Sequence, residues 1–218
     1  MGISIRALGH ASFQIKSSGK IVYIDLKKYG KGVEPSEKAD VILVTHGHAD
    51  HCSPETIMKI QKENSVIIAP ENCSKRVKGD VRSLKPGEET EIDGIKIRAV
   101  EAYNHKRFRP SGRPWHPKGY GVGYLIKTEG KTIYHAGDTD LIPEMNKLGS
   151  VDVALLPTGD KYTMDNAEAA DAALLIKPKT VIPMHTWDED PTGFKEKVEA
   201  NSDSKVIVLE LDEEFSIK

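Results

Sequence analysis

Strand-like patterns of apolar residues dominate the first half of the chain. Alternation of apolar and polar residues is typical of a half-buried strand, and a short apolar run is typical of a fully buried one. Both patterns occur here, separated by turn residues such as Ser-Ser-Gly. We therefore predict strands at residues 12–16, 20–25, 41–45 and 65–69, and a hairpin pair at residues 91–94 and 95–100.

A helix start signal follows the third predicted strand. Ser53 is an N-cap residue, Pro54 suits the first helical position, and Glu55 places a negative charge in the first turn. These features predict a helix that extends to about residue 63. Two further helices are predicted, one at residues 166–177 between a capping Asp165 and a terminating Pro178, and one beginning at Asp190 and Pro191.

The second half of the chain repeats the strand pattern of the first. Each half reads as strand, strand, helix, strand, which predicts an α/β sandwich built by duplication as a single domain of residues 1–218. Polar groups that follow apolar strands then gather at one edge of the sheets, where sites form. The approximate halves are residues 1–110 and 111–218, and the matched segments are 19–25 with 130–136, 39–45 with 151–157, and 65–70 with 180–185.

Composition narrows the class of protein. The 218 residues are 38% hydrophobic and 29% charged, as in soluble globular proteins. A formal net charge of −2 argues against a mainly electrostatic partner such as bulk nucleic acid. No apolar run is long enough to span a bilayer, and no signal-peptide pattern is present. Cys52 and Cys73 do not make a disulfide framework, and Cys52 is expected to be buried. We expect a cytoplasmic location and no membrane partner.

The densest chemical signal is the segment that contains His46, His48, Asp50 and His51, directly after an apolar strand. Imidazole is the commonest metal ligand and binds through a neutral ring nitrogen. Several imidazoles and a carboxylate crowded together contribute little stability to a dry core unless a bound group satisfies them. The first two imidazoles can bind one metal, and the Asp-His pair can bind a neighbouring metal. Asp50 can also accept a proton from metal-bound water.

Further ligands are expected at the ends of strands in the second half. Asp138, preceded by a glycine, could bridge two cations or cap a following turn. His185 also stands at a strand end, and we interpret it as a ligand. His135 lies inside a predicted strand, and we interpret it either as a packed histidine or as one that supports a neighbouring ligand.

The middle of the chain offers two candidates for one more imidazole. His105 stands just beyond a strand, and His116 lies in a Pro-rich loop. Their spacing leaves both alternatives open. His10 could reach the edge of the site, or it could be structural.

The combination of motifs resembles the metallo-β-lactamase superfamily, specifically the small metal-dependent hydrolases related to the ascorbate-phosphate lactonase group. The resemblance covers essentially the full length. It implies a four-layer αββα sandwich with two divalent metals at one edge of the sheets, usually zinc, with manganese or iron as alternatives. The motifs are His46-x-His48-x-Asp50-His51, Tyr134-His135-Ala136-Gly137-Asp138-Thr139, Pro183-Met184-His185 and Gly9-His10-Ala11-Ser12-Phe13.

The resemblance also implies roles for individual residues. His46 and His48 would bind the first metal together with the middle histidine. Similar sequences pair Ala-Tyr-Asn with a downstream His-Pro-Lys, which favours His116 over His105. The second metal would take Asp50, His51 and His185, with Asp138 as the bridge, and Asp50 would be catalytic. His10 and Tyr162 are candidate substrate contacts.

The implied reaction is hydrolysis by a hydroxide that bridges two metals, which cleaves an ester, lactone or phosphoester of a small molecule. The basic loop from Lys106 to Lys118 is a candidate specificity element, and an anionic substrate would fit its charge. A homo-oligomer is compatible with the sequence.

Three other functions are known among proteins with such motifs, and the sequence fits each of them less well. A nucleic-acid-processing enzyme would need a clamp domain or a basic face, neither of which the sequence provides. A di-iron protein would usually carry Glu at position 48 and a flavin partner domain. A non-catalytic metal-binding protein is disfavoured by Asp50 and Asp138, because structural zinc sites are normally closed and four-coordinate.

Overall fold

The computed structural model describes residues 2–27 and 32–217, which form two mixed β-sheets packed face to face. In spatial order, the first sheet contains β14 (Glu214–Ile217), β1 (Ile3–Gly9), β2 (Ser12–Ser17), β3 (Lys20–Ile24), β4 (Val41–Leu43), β5 (Val66–Ile68) and β6 (Asp80–Arg82). The second contains β13 (Lys205–Val206), β12 (Thr180–Met184), β11 (Val153–Pro157), β10 (Lys131–His135), β9 (Gly121–Thr128), β8 (Ile95–Ala102) and β7 (Glu89–Ile92).

Helices cover the outer faces of both sheets. The helices are α1 (Pro54–Ile60), α2 (Glu71–Ser74), α3 (Asn166–Ile176) and α4 (Thr192–Asn201), with a 3-10 helix at Pro143–Lys147. Ile57 of α1 packs in a cluster with Tyr23 and Ile42 on the outer face of the first sheet. A larger core joins the inner faces of the two sheets and also takes in Phe194 of α4. The predicted αββα sandwich is therefore confirmed.

The two sheets have the same internal order, as the predicted duplication requires. In each, four consecutive strands pair in parallel and continue into antiparallel neighbours: β3, β4, β5 and β6 of the first sheet correspond to β10, β11, β12 and β13 of the second. The third predicted match is displaced by one residue, because Val41 pairs with Val66 whereas Val153 pairs with Thr180 rather than Val181.

Several element boundaries differ from the sequence prediction. Helix α1 ends at Ile60 instead of near residue 63, because Gln61 turns to an extended backbone and the N–H of Lys62 donates to the Ser65 hydroxyl. The hairpin is present as β7 and β8. The chain passes from the first sheet to the second between Arg82 and Glu89, ahead of the approximate midpoint at residue 110.

Within residues 2–27 and 32–217, none of the helices has both the length and the apolar character that a membrane crossing requires.

Candidate metal centre

Three strand ends meet at one edge of the sandwich and carry most of the predicted ligands. The loop after β4 holds His46 to His51, Asp138 follows β10, and His185 follows β12 directly. Gly137 makes the turn before Asp138 possible: its φ of 64° is left-handed, and a Cβ there would lie 2.8 Å from the carbonyl oxygen of Val122. The parallel strand arrangement thus delivers ligands from both halves to one place.

A first group of ring nitrogens converges from His46, His48 and His116. Nε2 of His46 lies 3.0 Å from Nδ1 of His48, and Nε2 of His116 lies 3.1 Å from the same Nδ1. These separations suit three nitrogens around one cation, since zinc binds imidazole nitrogen at about 2.0–2.1 Å in tetrahedral geometry. The three residues therefore form a candidate site for one metal ion.

Neighbouring oxygens hold the rings of His116 and His46 in the orientation that ligands need. The amide oxygen of Asn104 lies 2.7 Å from Nδ1 of His116, and because that oxygen can only accept, Nδ1 carries the proton. Nε2 of His116 is then left with a free lone pair. Nδ1 of His46 similarly lies 3.0 Å from the hydroxyl of Thr45. Such outer contacts orient metal-binding histidines.

A second group contains Asp50, His51 and His185, joined by His10. Oδ2 of Asp50 lies 3.3 Å from Nε2 of His10 and 3.9 Å from Nε2 of His51. The ring of His10 packs on that of His185, with centroids 3.9 Å apart. The backbone N–H of His185 donates to the carbonyl of His10 at 3.0 Å, which ties the β1–β2 turn to the site.

Asp138 lies between the two groups. Its Oδ2 is 3.3 Å from Nε2 of His116 and 3.2 Å from Nε2 of His185, whereas its Oδ1 is 3.3 Å from Nε2 of His51. The side chain is 3% exposed. One carboxylate thus contacts ligand nitrogens of both groups, which is the arrangement that a bridging ligand requires.

Buried polar atoms without a hydrogen-bond partner test whether this cluster fits metal ions. Among the described residues they include Nε2 of His10, Nε2 of His51, Oδ1 of Asp138 and both ring nitrogens of His185. Leaving a buried polar group unpaired costs about 1–3 kcal/mol, so a native protein rarely accumulates several at one point. Cations coordinated by Nε2 of His51, Nε2 of His185 and Oδ1 of Asp138 would satisfy three of these atoms, and the nitrogen and carboxylate donors fit.

Burial and neighbouring charges set the protonation of the cluster. Burial lowers the pKa of His116 to about 4 and lowers that of His46 well below its usual value, so both rings are neutral at pH 7 and suited to bind metal. Burial also lowers the pKa of His51, but the carboxylates of Asp138 and Asp25 outweigh it and raise the pKa to about 10. In the absence of a cation, His51 therefore holds a proton.

Asp50 stays ionised at neutral pH. Burial acts to raise its pKa, but the His10 ring 3.3 Å away and the charge of His51 lower the pKa overall to below its ordinary value. The side chain is also 36% exposed, more than any other carboxylate of the cluster. It is the acidic group of the site that an incoming ligand reaches first.

The structure brings His116 into the cluster and leaves His105 outside it. The side chain of His105 is 44% exposed, and its Nδ1 lies 3.9 Å from Asp140. His135 is packed inside the core, as predicted, with Nε2 3.0 Å from the carbonyl of Ala11. Cys52 is buried, as expected.

The sequence interpretation missed Asp25, which is fully buried beside the site. Its two carboxylate oxygens accept from the N–H and hydroxyl of Thr45, and Oδ2 lies 2.8 Å from Nδ1 of His51. The carboxylate directs the opposite nitrogen of His51 toward Asp138. An acid directly after an apolar strand was the available signal, the same one that identified Asp138.

A pocket of about 360 Å³ opens onto the metal centre. Tyr162, a predicted substrate contact, lines it together with side chains of the first and second groups. Asp138 lines it as well. The remaining lining residues are Arg109 and Trp115, both in the loop predicted to set specificity, and Trp187, which the sequence-based set lacked.

The chain is similar to known proteins over almost its whole length. A family model described as a beta-lactamase superfamily domain matches residues 4–185. A UPF0173 metal-dependent hydrolase of Pelotomaculum thermopropionicum is 37% identical over 95% of this chain and 96% of its own length. Another, from Thermococcus kodakarensis, is 38% identical over 99% of this chain and 100% of its own.

Solved structures agree with these matches. A candidate metal-dependent hydrolase from Parabacteroides distasonis shares 35% identity, covers 96% of this chain and 93% of its own, and superposes with a TM-score of 0.87. Igni18, a metallo hydrolase of Ignicoccus hospitalis, shares 26% identity over 100% of this chain and 99% of its own, with a TM-score of 0.80.

Proposed function

Because the chain belongs to the beta-lactamase superfamily, among the UPF0173 metal-dependent hydrolases, we propose that it cleaves an ester, lactone or phosphoester of a small molecule at a site for two divalent cations. The family match confirms the superfamily resemblance that the sequence motifs indicated. The observation that carries the proposal is the position of Asp138, within 3.3 Å of ligand nitrogens in both histidine groups.

Each cation has its own set of donors in this proposal. His46, His48 and His116 would hold the first, and Asp50, His51 and His185 would hold the second, with Asp138 shared. Zinc is the best match, because imidazole-rich sites with carboxylates suit it. Manganese and iron are the other candidates.

When bound, such a pair of cations would make a water nucleophile available near neutral pH and polarise the substrate oxygen. The protein's own groups then orient the reactants. Asp50, ionised and partly exposed, is positioned to accept a hydrogen bond from the attacking water. Its low pKa makes it a weak base, which favours orientation over storage of a proton.

His10 supports Asp50 in this proposal. Its Nε2 faces Asp50 at 3.3 Å, and burial lowers its pKa, so the ring is neutral at pH 7. A neutral imidazole can donate through one nitrogen and accept through the other. We assign His10 the role of fixing Asp50 and contacting substrate at the edge of the site, with Tyr162 contacting it from the pocket wall.

The experiment is a hydrolysis panel with defined metal content. Protein stripped with a chelator is reloaded with zinc, manganese or ferrous iron and assayed on a lactone, an aryl ester and a phosphodiester. We expect turnover of at least one substrate that requires metal, is lost in Asp138→Asn, and is retained in His105→Ala. Two bound metals without turnover of any substrate would instead indicate a metal-binding protein that is not an enzyme.

A further inference from the structure

Three aromatic side chains surround the mouth of the pocket. The rings of Trp115 and Tyr162 meet edge to face with centroids 4.6 Å apart, and Trp187 lies 6.0 Å from Tyr162. Trp187 is 51% exposed. Aromatic walls beside a few polar groups are typical of small-molecule sites. The mouth therefore presents flat apolar surfaces next to the metal centre.

The backbone holds Trp187 in this exposed position at a conformational cost. Its φ is 53°, in the left-handed region that bulky residues rarely adopt. Gly159 makes room for it, since a Cβ at Gly159 would lie 2.7 Å from Cδ1 of Trp187. Strain of this kind collects at binding sites. A large indole that is both strained and half exposed is difficult to explain by packing alone.

Arg109 differs from Lys106 and Arg107 of the same loop, which are both ion-paired. Lys106 pairs with Glu168 at 2.6 Å, and Arg107 pairs with Asp140 at 2.8 Å. For Arg109, no ion pair with a carboxylate is found among residues 2–27 and 32–217. Its guanidinium lies 4.6 Å over the ring of Trp115, and Nη2 donates to the carbonyl of Trp115 at 3.3 Å. Most of its N–H groups remain available.

We propose that the substrate carries two recognition elements besides the bond that is cleaved: a flat ring and a separate carboxylate or phosphate. The ring packs against Trp115, Tyr162 and Trp187. The anionic group binds the guanidinium of Arg109, whose planar fork matches carboxylate and phosphate oxygens. This inference rests on the proposed hydrolytic function, because it assigns the substrate of the same pocket.

The chain contains both a fluorescent reporter of binding and a residue suited to a control variant. Its two tryptophans, Trp115 and Trp187, both line this pocket, so intrinsic fluorescence reports on occupancy directly. Arg113 lies in the same loop, where its carbonyl accepts from the N–H of Arg109. It is exposed and does not line the pocket. Arg113→Gln therefore removes an equal charge from the same loop without touching the site.

The test titrates metal-loaded protein with three phosphonates while tryptophan fluorescence is recorded. Methylphosphonate lacks a ring, phenylphosphonate has one, and 4-carboxyphenylphosphonate adds a second anion. We expect affinity to rise in that order. Arg109→Gln should abolish the advantage of the carboxylate, about tenfold or more, with phenylphosphonate binding and metal content unchanged. Arg113→Gln should leave both affinities unchanged.

Calorimetry on Trp187→Ala isolates the contribution of the ligand's phenyl ring. In this variant, the difference in affinity between phenylphosphonate and methylphosphonate should become smaller. The inference is overturned if the carboxylate adds nothing, if Arg109→Gln and Arg113→Gln lose it equally, or if the ring adds no affinity. Its failure is separable from failure of the hydrolase proposal. If the phosphonates bind in the expected order but no substrate is turned over, only the hydrolase proposal fails. If substrates are turned over but the phosphonates do not bind in that order, only the inference about the ring and the anionic group fails.

Discussion

The two halves of the molecule are alike at one end of their strands and different at the other. At the end where the halves are alike, the N–H of Asp40 donates to the carbonyl of Ile21 at 2.8 Å. A carboxylate oxygen of Asp40 accepts from the N–H of Ile21 at 2.9 Å. Asp152 and Thr132 repeat both bonds, at 2.8 and 2.9 Å. A lysine caps each aspartate, Lys62 at 2.7 Å and Lys179 at 2.8 Å.

At the opposite end, the halves supply different ligands. The first half contributes a compact loop with three histidines and an aspartate, whereas the second contributes Asp138 and His185 from separate strand ends and His116 from the loop before β9. Pairing of the strands therefore imposes the same hydrogen bonds at one end of both halves. At the other end the metal ligands differ, because the two halves together must supply one complete set of donors. Neither half alone holds a complete two-metal site.

The largest effect should come from removing the carboxylate that joins the halves. Asp138→Ala takes a shared donor from both groups, so we expect the protein to bind at most one metal per chain and to lose nearly all turnover. Metal analysis after gel filtration checks this. Two equivalents of metal retained in Asp138→Ala would show that the groups do not share this ligand.

The next effect compares the two candidate middle histidines. His116→Ala removes a ring nitrogen 3.1 Å from that of His48, whereas His105→Ala removes an exposed side chain. We expect loss of metal and activity in the first and normal values in the second. Metal content and turnover, measured side by side, would reverse the assignment if His105→Ala were the damaging change.

A smaller effect is expected when the support of a ligand is removed. Asp25→Asn weakens the contact that orients His51, and outer contacts of this kind are worth about 10–100-fold in metal affinity. Competition with a metallochromic chelator measures the change. Asp40→Asn is the control, because it alters a partly buried aspartate of the same half at the opposite end of the strands. Equal losses in both variants would point to general destabilisation.

Protonation gives a further test of the same region. Without a cation, Asp138 and Asp25 outweigh burial and hold the pKa of His51 near 10, so this ring is charged at pH 7. A cation must displace that proton, and metal binding at pH 7 should therefore release about one proton from the protein. Calorimetry in buffers of different ionisation enthalpy counts it. Buffer-independent heats would contradict the assignment of His51 as a ligand.

The smallest effect tests the likeness of the halves. Asp40→Asn and Asp152→Asn should each lower the free energy of unfolding by about 1 kcal/mol, since the paired lysines are largely exposed. Chemical denaturation measures both. Losses that differ severalfold would break the equivalence.

The pH dependence of these two losses has a definite sign. Burial raises the pKa of Asp40, but the bonds from Lys62 and Ile21 lower it overall, and Lys179 and Thr132 do the same for Asp152. A depressed pKa stabilises the folded state above the unfolded pKa, about 3.9, and the contribution disappears as pH falls through the folded value. The variants should therefore approach the parent protein in stability at low pH.

Sequence predicted the fold well where local patterns carried the information. The buried runs before His46 and His185 and the cap at Ser53 specify elements through their own residues, and the structure has those elements. The repeat predicted the duplication, yet it misaligned Val66 with Val181. Both segments are apolar, and only the hydrogen-bonded register with the neighbouring strand fixes the partner as Thr180.

The site was predictable where ligands are contiguous and less so where they depend on distant contacts. Spacing left His105 and His116 open, because the choice depends on Asn104 and on a loop that folds back over the site. Asp25 was missed for the same reason: its role depends on His51, 26 positions away. Nothing in the sequence indicates that Arg109, unlike Arg113 of the same basic loop, lines the pocket.

Anomalous X-ray diffraction from zinc-loaded crystals tests the central claim most directly. A site shared by the two halves predicts two peaks about 3.5–4 Å apart. One peak should lie among His46, His48 and His116, the other among Asp50, His51 and His185, with Asp138 between them. A single peak, or two peaks that both lack contact with Asp138, would contradict the account.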